Sequence, residues 1–365
     1  MIYMDNAATT RMKNEVLTAM MPYFQEHYGN PSSLHAEGRT AKKAIEKARE
    51  TIGKAVGCEP ERLVFTSGAT EANNLFSHDI NISVLCGMEG DHPSLIRKYD
   101  TLIPCNRDGE LDVAKLSEEI RQNNSFGWST TLAISYANGE VGVIQPAEQI
   151  VAQDMPIHWD ITQAIGSIPI DTVKLRPYSM AFGAHKCGGP KGIGVLYRSK
   201  SVKPMIFGGG QENGFRAGTE NVPAIVGMAK AIELAVNGIE KRTEHVRKLS
   251  AKLAAGILTD IGETYLNGPD FGPRRLPGNV NISFSGCSGA GLVLALDKAG
   301  IACSSGSACA SGEQSKILMA MYNDEDRANS SVRFTLCEDN TEEEVDKVLS
   351  VLPEIVKKER EHENH

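Results

Sequence analysis

Short apolar segments alternate with amphipathic ones over the first two-thirds of the chain, and this alternation constrains the fold more than any other feature. The apolar segments are bounded by glycine, proline or asparagine, as buried parallel strands usually are. We predict strands at 63–66, 82–86, 132–136, 157–160, 180–182 and 194–197, with helices at 13–28 and 34–56. This order predicts a doubly wound α/β domain, with a large, mainly parallel sheet and helices on both faces.

The pattern changes after a long helix predicted at 222–258. The remainder of the chain predicts a smaller α+β domain, with strands at 280–284, 301–303 and 331–336, a helix at 290–298, and a last helix that starts at a capping box formed by Thr341 and Glu344. We place the large domain at 13–255 and the small domain at 1–12 and 256–365. The charged tail at 357–365 is predicted to be frayed.

Composition narrows the possible function classes. The chain has 365 residues and a net charge of -8 with no basic stripe, so we expect no nucleic-acid partner. We find no signal peptide and no apolar run long enough to cross a bilayer, so we expect a cytoplasmic protein without a membrane partner. None of the eight cysteines forms a Cys-x-x-Cys pair, and no zinc or disulfide framework is expected. Most of these thiols are interpreted as small buried hydrophobes.

Two residues that follow neighbouring predicted strands indicate the chemistry. Asp160 ends the strand at 157–160, and Lys186 lies just after the next strand. A lysine amine can form a Schiff base with the aldehyde of pyridoxal 5'-phosphate (PLP), and a carboxylate can pair with the protonated ring nitrogen so that the ring draws off electrons. The pair therefore predicts a PLP site.

A cofactor phosphate has a predicted place in the turn at 68–70. This turn joins a strand to a helix, and the free backbone N–H groups and dipole of a helix N-terminus attract an anion. Ala69 lies in the turn, and Thr70 adds a hydroxyl donor, although Thr70 can equally be an N-cap in a tight turn. With Lys186 and Asp160 present, the phosphate interpretation is preferred, and His185 is a second phosphate-binding candidate.

Three further polar residues are candidates for the same site. His92 can stack on the cofactor ring or move protons at neutral pH, although a lone loop histidine is usually only solvated. Gln163 can donate to the phenolic oxygen of the ring if the chain turns into a helix after Asp160. Thr219 can reach a phosphate in a neighbouring subunit; the alternative is that the glycine-rich stretch at 208–219 is only a mobile loop.

The segment at 304–312 is rich in serine and glycine and carries one thiol, that of Cys309. A cysteine in a mobile exposed loop can act as a nucleophile once its thiolate is populated; the alternative is a linker with an incidental cysteine. Arg333 is a cation on an otherwise apolar strand, where it needs a partner. A substrate α-carboxylate could accept two hydrogen bonds from its guanidinium group. The alternative partner is a structural acid of the protein itself.

Assembled, these residues resemble those of the NifS/IscS-type cysteine desulfurases, which belong to the class V aminotransferase group of PLP enzymes with fold type I. The resemblance runs from the start of the chain to the last helix. The segments that carry it are YMDNAATT at 3–10, GNPSSLH at 29–35, FTSGATE at 65–71 and SSGSAC at 304–309.

The resemblance implies a role for each candidate residue. Lys186 is the Schiff-base lysine, Cys309 forms a persulfide, and His92 stacks on the cofactor. The implied cofactor-binding residues are Ala69, Thr70, Asn138, Asp160, Gln163, Gly183, His185 and Thr219. Thr219 comes from the partner subunit of a homodimer. Arg333 and Asn138 are implied to bind the substrate.

The implied reaction converts L-cysteine to L-alanine and leaves the sulfur on Cys309. An acceptor protein then collects it, for iron–sulfur cluster assembly or tRNA thiolation. No resident metal is expected; a transient iron–sulfur cluster shared by Cys309 is the one exception considered.

Three positions depart from the family pattern. Gly139 stands where the family commonly has a cofactor-binding asparagine, Gly183 where it often has a phosphate-binding serine, and Cys337 where it usually has glycine. Each lost hydrogen bond would cost about 0.5–1.5 kcal/mol, which predicts a weakened PLP site but not its loss.

Two other functions stay open at this point. One is a related class V lyase or transaminase, such as a selenocysteine lyase; Cys309 argues against a plain transaminase, which needs no thiol there. The other is a degenerate paralogue that acts as a non-catalytic scaffold. The changes to Gly139 and Gly183 motivate the scaffold, whereas the joint retention of the chemical residues opposes it. These residues are Lys186, Asp160, His92, Cys309 and Arg333.

Overall fold

A computed structural model describes residues 1–79, 81–96, 99–198, 202–306 and 314–363. The strands within these ranges are β1 (Ile2–Tyr3), β2 (Leu63–Thr66), β3 (Val84–Met88), β4 (Thr101–Ile103), β5 (Thr130–Ser135), β6 (Ile157–Asp160), β7 (Ser179–Gly183), β8 (Gly194–Tyr197), β9 (Thr264–Leu266), β10 (Asn279–Phe284), β11 (Ile301–Ala302) and β12 (Ser331–Thr335).

The α-helices in the same ranges are α1 (Asn14–Met20), α2 (Pro22–Gln25), α3 (Ala36–Val56), α4 (Ala69–Phe76), α5 (Pro93–Ile96), α6 (Val113–Ser125), α7 (Ala147–Val151), α8 (Thr172–Leu175), α9 (Val222–Val236), α10 (Ile239–Asp260), α11 (Gly289–Lys298), α12 (Lys316–Tyr322), α13 (Glu325–Asn329) and α14 (Glu342–Glu363). Short 3₁₀ turns cover Pro60–Arg62, Ala184–Lys186 and Gln211–Gly214.

The central sheet has the strand order β2-β8-β7-β6-β5-β3-β4. Strands β3 to β7 are mutually parallel, and β8 runs antiparallel to both β7 and β2. β2 therefore points the same way as the parallel set. Because the carboxyl ends of parallel strands lie at one edge, the segments after β2, β3, β5, β6 and β7 converge there. The predicted fold class is confirmed.

Helices cover both faces of this sheet because alternate strand residues point to opposite faces. On one face, Met180 and Phe182 of β7 share a core with apolar residues of α3 and α9. On the other face, Ala181 packs with Leu75 and Phe76 of α4. Strands β5, β6 and β7 are buried from end to end, which explains why charged residues are rare in them.

A second core lies around the antiparallel sheet β12-β10-β9 and the parallel pair β1-β11. Helices α10, α11 and α14 supply its other apolar side chains, among them Leu253, Leu292 and Leu352. The predicted capping box opens α14: the Glu344 N–H donates to the Thr341 hydroxyl, and the Thr341 N–H donates to the Glu344 carboxylate, both at 3.3 Å.

Three predicted helical boundaries are wrong. The helix predicted at 13–28 is two helices, because Pro22 begins α2 after a break at Met21. The helix predicted at 222–258 is also two, because Gly238 adopts a left-handed conformation (φ +71°) between α9 and α10. The tail is not frayed at 357: α14 continues to Glu363, held by buried Val356 and by Arg360, whose Nε donates to the Ser285 carbonyl at 3.0 Å.

Two further observations concern helices and thiols of the described ranges. No single helix there has both the length and the apolar composition of a bilayer span; α9 and α10 reach these limits only when counted together, across a 72° bend. The seven cysteines in these ranges are free thiols. Burial raises the pKa of Cys86, Cys187 and Cys303 to about 12, so these thiols stay protonated and behave as small core residues.

Candidate active site

Strand pairing brings the predicted phosphate turn, Asp160 and Lys186 to one edge of the sheet. Asp160, the last residue of β6, pairs with Ala181 of β7. Gly183 of β7 and Thr66 of β2 both pair with Gly194 of β8. The turn after β2, the end of β6 and the turn after β7 are therefore close neighbours.

The Asp160 carboxylate is buried and fixed in orientation by two donors. Its Oδ2 accepts a hydrogen bond from the Asn73 side-chain amide at 2.7 Å, and its Oδ1 accepts from the Thr162 backbone N–H at 2.9 Å. Asn73 also donates to the Ser94 hydroxyl at 2.8 Å. Both amide hydrogens of Asn73 are thus committed, which leaves its oxygen as an acceptor.

His158 supplies the donor for that oxygen. Its Nε2 lies 2.9 Å from Asn73 Oδ1, so Nε2 carries the proton, and its Nδ1 accepts from the Ser179 hydroxyl at 2.9 Å. The ring is fully buried and stacked on Phe76, with centroids 4.0 Å apart and planes within 8°. Burial lowers the pKa of His158 to about 3, despite the opposing field of Asp160, so this imidazole is neutral at physiological pH.

His92 is joined to the same group of side chains. The Ser94 hydroxyl, which accepts from Asn73, lies 2.7 Å from His92 Nδ1, and the Ser94 backbone N–H also points at Nδ1 from 3.2 Å. Nδ1 is therefore the unprotonated ring nitrogen. The two contacts with Ser94 fix the orientation of the imidazole ring. The structure thus brings His92 and Asp160 together through one amide, that of Asn73.

The turn at 68–70 has the form of an anion cradle. Helix α4 begins at Ala69, and its N-cap Gly68 offers no side chain to satisfy the free N–H groups of the first turn. A Cβ at Gly68 would find no atom within 4 Å, so the space above the turn is open. Thr70 is exposed beside it. Gly194 lets β8 pass close underneath, since a Cβ there would lie 2.5 Å from the Gly68 backbone.

Gly183 lies against this cradle and has room for a side chain. Its backbone is extended (φ -113°, ψ 155°), a conformation open to any residue. A Cβ at this position would lie 3.7 Å from the Ala69 nitrogen and 3.6 Å from the His185 ring, both ordinary contacts. A serine in place of Gly183 would therefore set its hydroxyl beside the first N–H groups of α4.

Lys186 ends the 3₁₀ turn that comes after β7, and His185 precedes it. His185 Nδ1 lies 3.2 Å from the Thr9 hydroxyl. Burial, reinforced by the charges of Lys186 and Lys191, lowers the pKa of His185 to about 4. His185 is therefore a neutral neighbour of the cradle, able to contribute a ring N–H but no charge at neutral pH.

Gln163 occupies the space that a side chain at position 139 would need. A Cβ on Gly139 would lie 2.2 Å from Gln163 Nε2, and this Nε2 donates to the Ala7 carbonyl at 3.1 Å. Asn138 turns its side-chain oxygen to the backbone N–H groups of Glu140 and Val141, at 2.8 and 3.1 Å. The absence of a side chain at 139 therefore leaves room for Gln163 to donate to the Ala7 backbone.

The partner of Arg333 is a structural acid. Its Nη2 donates to Asp5 Oδ1 at 2.8 Å and its Nη1 to the Gly139 carbonyl at 3.3 Å. Arg333 Nε is buried without an acceptor among the residues that the structure describes. Asp5 is thus the acid partner of Arg333 within the chain, and among the described residues the guanidinium keeps its Nε donor unused.

Cys309 lies in the stretch 307–313, outside the described residues. The residues on either side of that stretch contact the site. Ser304 exchanges two backbone hydrogen bonds with Arg333, at 2.7 and 3.1 Å, and the Ser315 hydroxyl hydrogen-bonds to the buried carboxyl of Glu140. Thr219 is exposed on the surface of this single chain.

A cleft of about 1000 Å³ opens onto Lys186 between the two cores. Gly139, Gln163, Asn6 and Cys337 are among its lining residues, whereas Asp160 is not. Within the described ranges, no group of three or more His, Cys, Asp or Glu side chains is arranged to hold a metal ion.

Sequence reasoning missed Asn73, His158 and Asp5. Two signals were available: Asn73 lies one helical turn after Thr70, and His158 shares a strand face with Asp160 at a spacing of two. No local signal marks Asp5 as the partner of Arg333, because 328 residues separate them.

The comparisons with known proteins agree with this geometry. The chain belongs to the class V aminotransferase family, whose model matches residues 2–93 and 96–348. Within that family it is of the NifS/IscS type. A cysteine desulfurase IscS of Dictyoglomus turgidum is 38% identical over 98% of this chain and 95% of its own length.

Two solved structures are also similar. A NifS-like protein is 33% identical with a TM-score of 0.88, over 98% of this chain and 99% of that one. SspA in complex with cysteine is 27% identical with a TM-score of 0.77, over 93% of this chain and 100% of that one. Enzymes of this family depend on PLP.

The neutral state of His158 predicts an acid-sensitive fold. Unfolded histidine titrates near 6.5 whereas folded His158 titrates at about 3, so the unfolded chain gains a proton that the folded chain does not as the pH falls below 6.5. Between pH 7 and pH 5, this should lower the free energy of unfolding by about 2 kcal/mol. Urea denaturation at both pH values measures it.

The matched variant is His158→Gln, which keeps an amide donor toward Asn73 but cannot titrate. Its loss of stability between pH 7 and pH 5 should be smaller than that of the parent by about 2 kcal/mol. Equal losses in the two proteins would show that His158 is protonated in the folded chain.

Proposed function

We propose that this chain binds PLP and acts as a cysteine desulfurase that converts L-cysteine to L-alanine and transfers the sulfur to Cys309. The observation that carries the proposal is the convergence of three groups at one sheet edge. These groups are the anion cradle at 68–70, the fixed carboxylate of Asp160 and the 3₁₀ turn that ends at Lys186. The names of its relatives support the choice of substrate.

The residues present fit the cofactor. A phosphate would occupy the open space over Gly68, facing the N–H groups of α4, with Thr70 and His185 as further donors. Asp160 would pair with the ring nitrogen, because its carboxylate is held rigidly at the end of β6. His92 would stack on the ring, since Ser94 fixes the orientation of its imidazole.

Bound PLP would supply the electron sink for loss of the Cα proton of the substrate. The protein's own part is positioning and proton handling. Lys186 Nζ would hold the cofactor and, when displaced by the substrate amine, would be the nearest amine for that proton. Gln163 would donate to the phenolic oxygen from the wall of the cleft, and Asn138 would complete the contacts on the same side.

Arg333 would bind the substrate carboxylate. Its Nε has no acceptor among the described residues, and its Nη2 is held by Asp5 until a carboxylate competes for it. The Cys309 thiolate would then take the substrate sulfur as the Cβ–S bond breaks, and Cβ would gain a proton as alanine leaves. An acceptor protein would collect the sulfur for iron–sulfur cluster assembly or tRNA thiolation.

We also propose a homodimer in which Thr219 reaches the phosphate of the partner subunit. Exposure of Thr219 in the single chain supports this assignment.

The proposed domains are 13–255 for the large domain, and 1–12 together with 256–365 for the small domain. The buried apolar residues of α10 belong to the second core, which favours moving the boundary back toward Gly238.

The direct test is turnover of L-cysteine with a reductant, measured as alanine and sulfide. Cys309→Ala should lower both by at least about 100-fold, because alanine has no thiol to accept the substrate sulfur. The matched control is Cys58→Ala. Burial raises the pKa of the Cys58 thiol to about 12, so this thiol is not a nucleophile at neutral pH and its loss should leave turnover unchanged.

The other outcomes of this assay are equally decisive. Pyruvate, or amino-group transfer to a keto acid, would replace the proposal by another class V reaction. A yellow protein that turns over no cysteine would favour the non-catalytic scaffold. Full activity in Cys309→Ala would contradict the role of this cysteine.

A second prediction concerns position 183. Gly183→Ser should strengthen PLP binding by about 2- to 10-fold, the effect of one added hydrogen bond to the phosphate. Gly183→Ala is the matched control, since it fills the same space without a donor. Equilibrium titration of the apo protein with PLP measures both. Equal affinities of the serine and alanine variants would show that no phosphate lies beside this residue.

A further inference from the structure

The segment at 205–220 presents a surface that a second molecule would complete. Ile206 and Phe207 are 41% and 82% exposed, and Thr219 of the same segment is also exposed. Glu220 keeps one carboxylate oxygen buried without a donor among the described residues. A segment that combines exposed apolar side chains with an unsatisfied buried oxygen is typical of a surface that is covered in an assembly. In the proposed homodimer, a second copy of this chain is the cover.

This segment is tied to the body of the protein at two points. The first is a buried ion pair between Arg49 of α3 and Glu212. Arg49 donates to both oxygens of the Glu212 carboxylate, at 2.9 and 3.2 Å, and the backbone N–H of Phe65 donates to it at 2.8 Å. Phe65 lies on β2, the edge strand of the sheet, where some backbone N–H groups have no neighbouring strand to pair with. Glu212 accepts the hydrogen bond of one such group, the N–H of Phe65.

The backbone at this first point is strained. Glu212 and Asn213 both adopt left-handed conformations, with φ of +47° and +53°. Such conformations persist in non-glycine residues only where surrounding contacts hold them. The bidentate pair with Arg49 is such a contact, and it fixes the direction in which the chain continues toward Thr219.

The second point is the pair between Arg216 and Glu71. Arg216 Nε and Nη2 donate to the two oxygens of Glu71, at 3.0 and 3.4 Å. Glu71 also accepts from the Ser67 N–H at 2.7 Å. Ser67 and Glu71 flank the cradle at 68–70, and Thr219 lies three residues after Arg216. One carboxylate therefore contacts both the chain's own cradle and the segment that carries Thr219.

We infer that Arg216 is a positioning residue that holds Thr219 at the phosphate of the partner subunit, and that Glu71 is its anchor. The inference rests on the proposed function, which supplies the cofactor and the dimer. The inference goes beyond the proposed function in one respect. Glu71, next to the cradle of one subunit, supports the Thr219 that contacts the phosphate bound in the other subunit. Loss of the pair should therefore weaken cofactor binding in the partner more than in the subunit that carries the change.

Mixed dimers with two different affinity tags test this inference. In every dimer, one subunit carries Lys186→Ala, so that visible absorption of the lysine-linked cofactor reports PLP binding in the other subunit alone. In the trans dimer, Arg216→Gln is placed in the Lys186→Ala subunit. In the cis dimer, it is placed in the reporting subunit. The reference dimer carries no change at 216, and PLP titration gives each dissociation constant.

The trans dimer should bind PLP about tenfold more weakly than the reference, as expected for one lost charge-assisted contact, and the cis dimer should change by less. Thr219→Ala, placed in trans, should reproduce the trans effect, and adding it to Arg216→Gln should weaken binding little further. A trans effect equal to or smaller than the cis effect overturns the inference. So does additivity of the two changes.

Controls separate this inference from the proposed function and from simple loss of structure. If the reference dimer itself binds no PLP, or the chain is monomeric by light scattering, the proposed function fails first. Arg216→Lys keeps the positive charge but lacks the two guanidinium donors that contact both oxygens of Glu71. This variant should give an intermediate trans effect. A trans effect in Arg216→Lys that equals that of Arg216→Gln, with dimer mass retained, would also contradict the role of the Arg216–Glu71 pair.

Discussion

The side-chain amide of Asn73 is the interaction on which the site depends. Its two hydrogens are donated to Asp160 and Ser94, and its oxygen accepts from His158. Each of its neighbours is thereby left with a single protonation or orientation: Asp160 as an acceptor, His158 with its proton on Nε2, and Ser94 as the donor to His92. Buried polar groups that are all satisfied in this way specify one arrangement of a core.

This arrangement involves neither Gly139 nor Gly183, the two cofactor positions at which the sequence is expected to depart from the family pattern. At Gly139 the space that a side chain would need is filled by Gln163, whose amide donates to the Ala7 backbone. At Gly183 the space next to the cradle remains open. The space beside position 139 is thus filled inside the protein, whereas the space beside position 183 holds no side-chain donor. The hydrogen bonds of the Asn73 amide involve neither position.

Most of the fold could be predicted from the sequence because its signals are local. Buried strands such as β6 and β8 have the predicted bounds, since Asp160 ends the first and Gly194 begins the second, which leaves few alternatives. The break at Gly238 was missed although an Asn-Gly dipeptide marks it, because the apolar periodicity continues across it. Both the Asp5–Arg333 pair and the Asn73 bridge depend on how distant elements pack, which no local pattern encodes.

The central claim is that Lys186 holds a PLP molecule whose ring nitrogen faces Asp160. Reduction of the cofactor-treated chain with borohydride converts the lysine linkage into a stable amine, and peptide mass spectrometry then locates it. The account predicts a phosphopyridoxyl group on Lys186, formed at one per chain. A label spread over exposed lysines such as Lys191, or no label on Lys186, would contradict it.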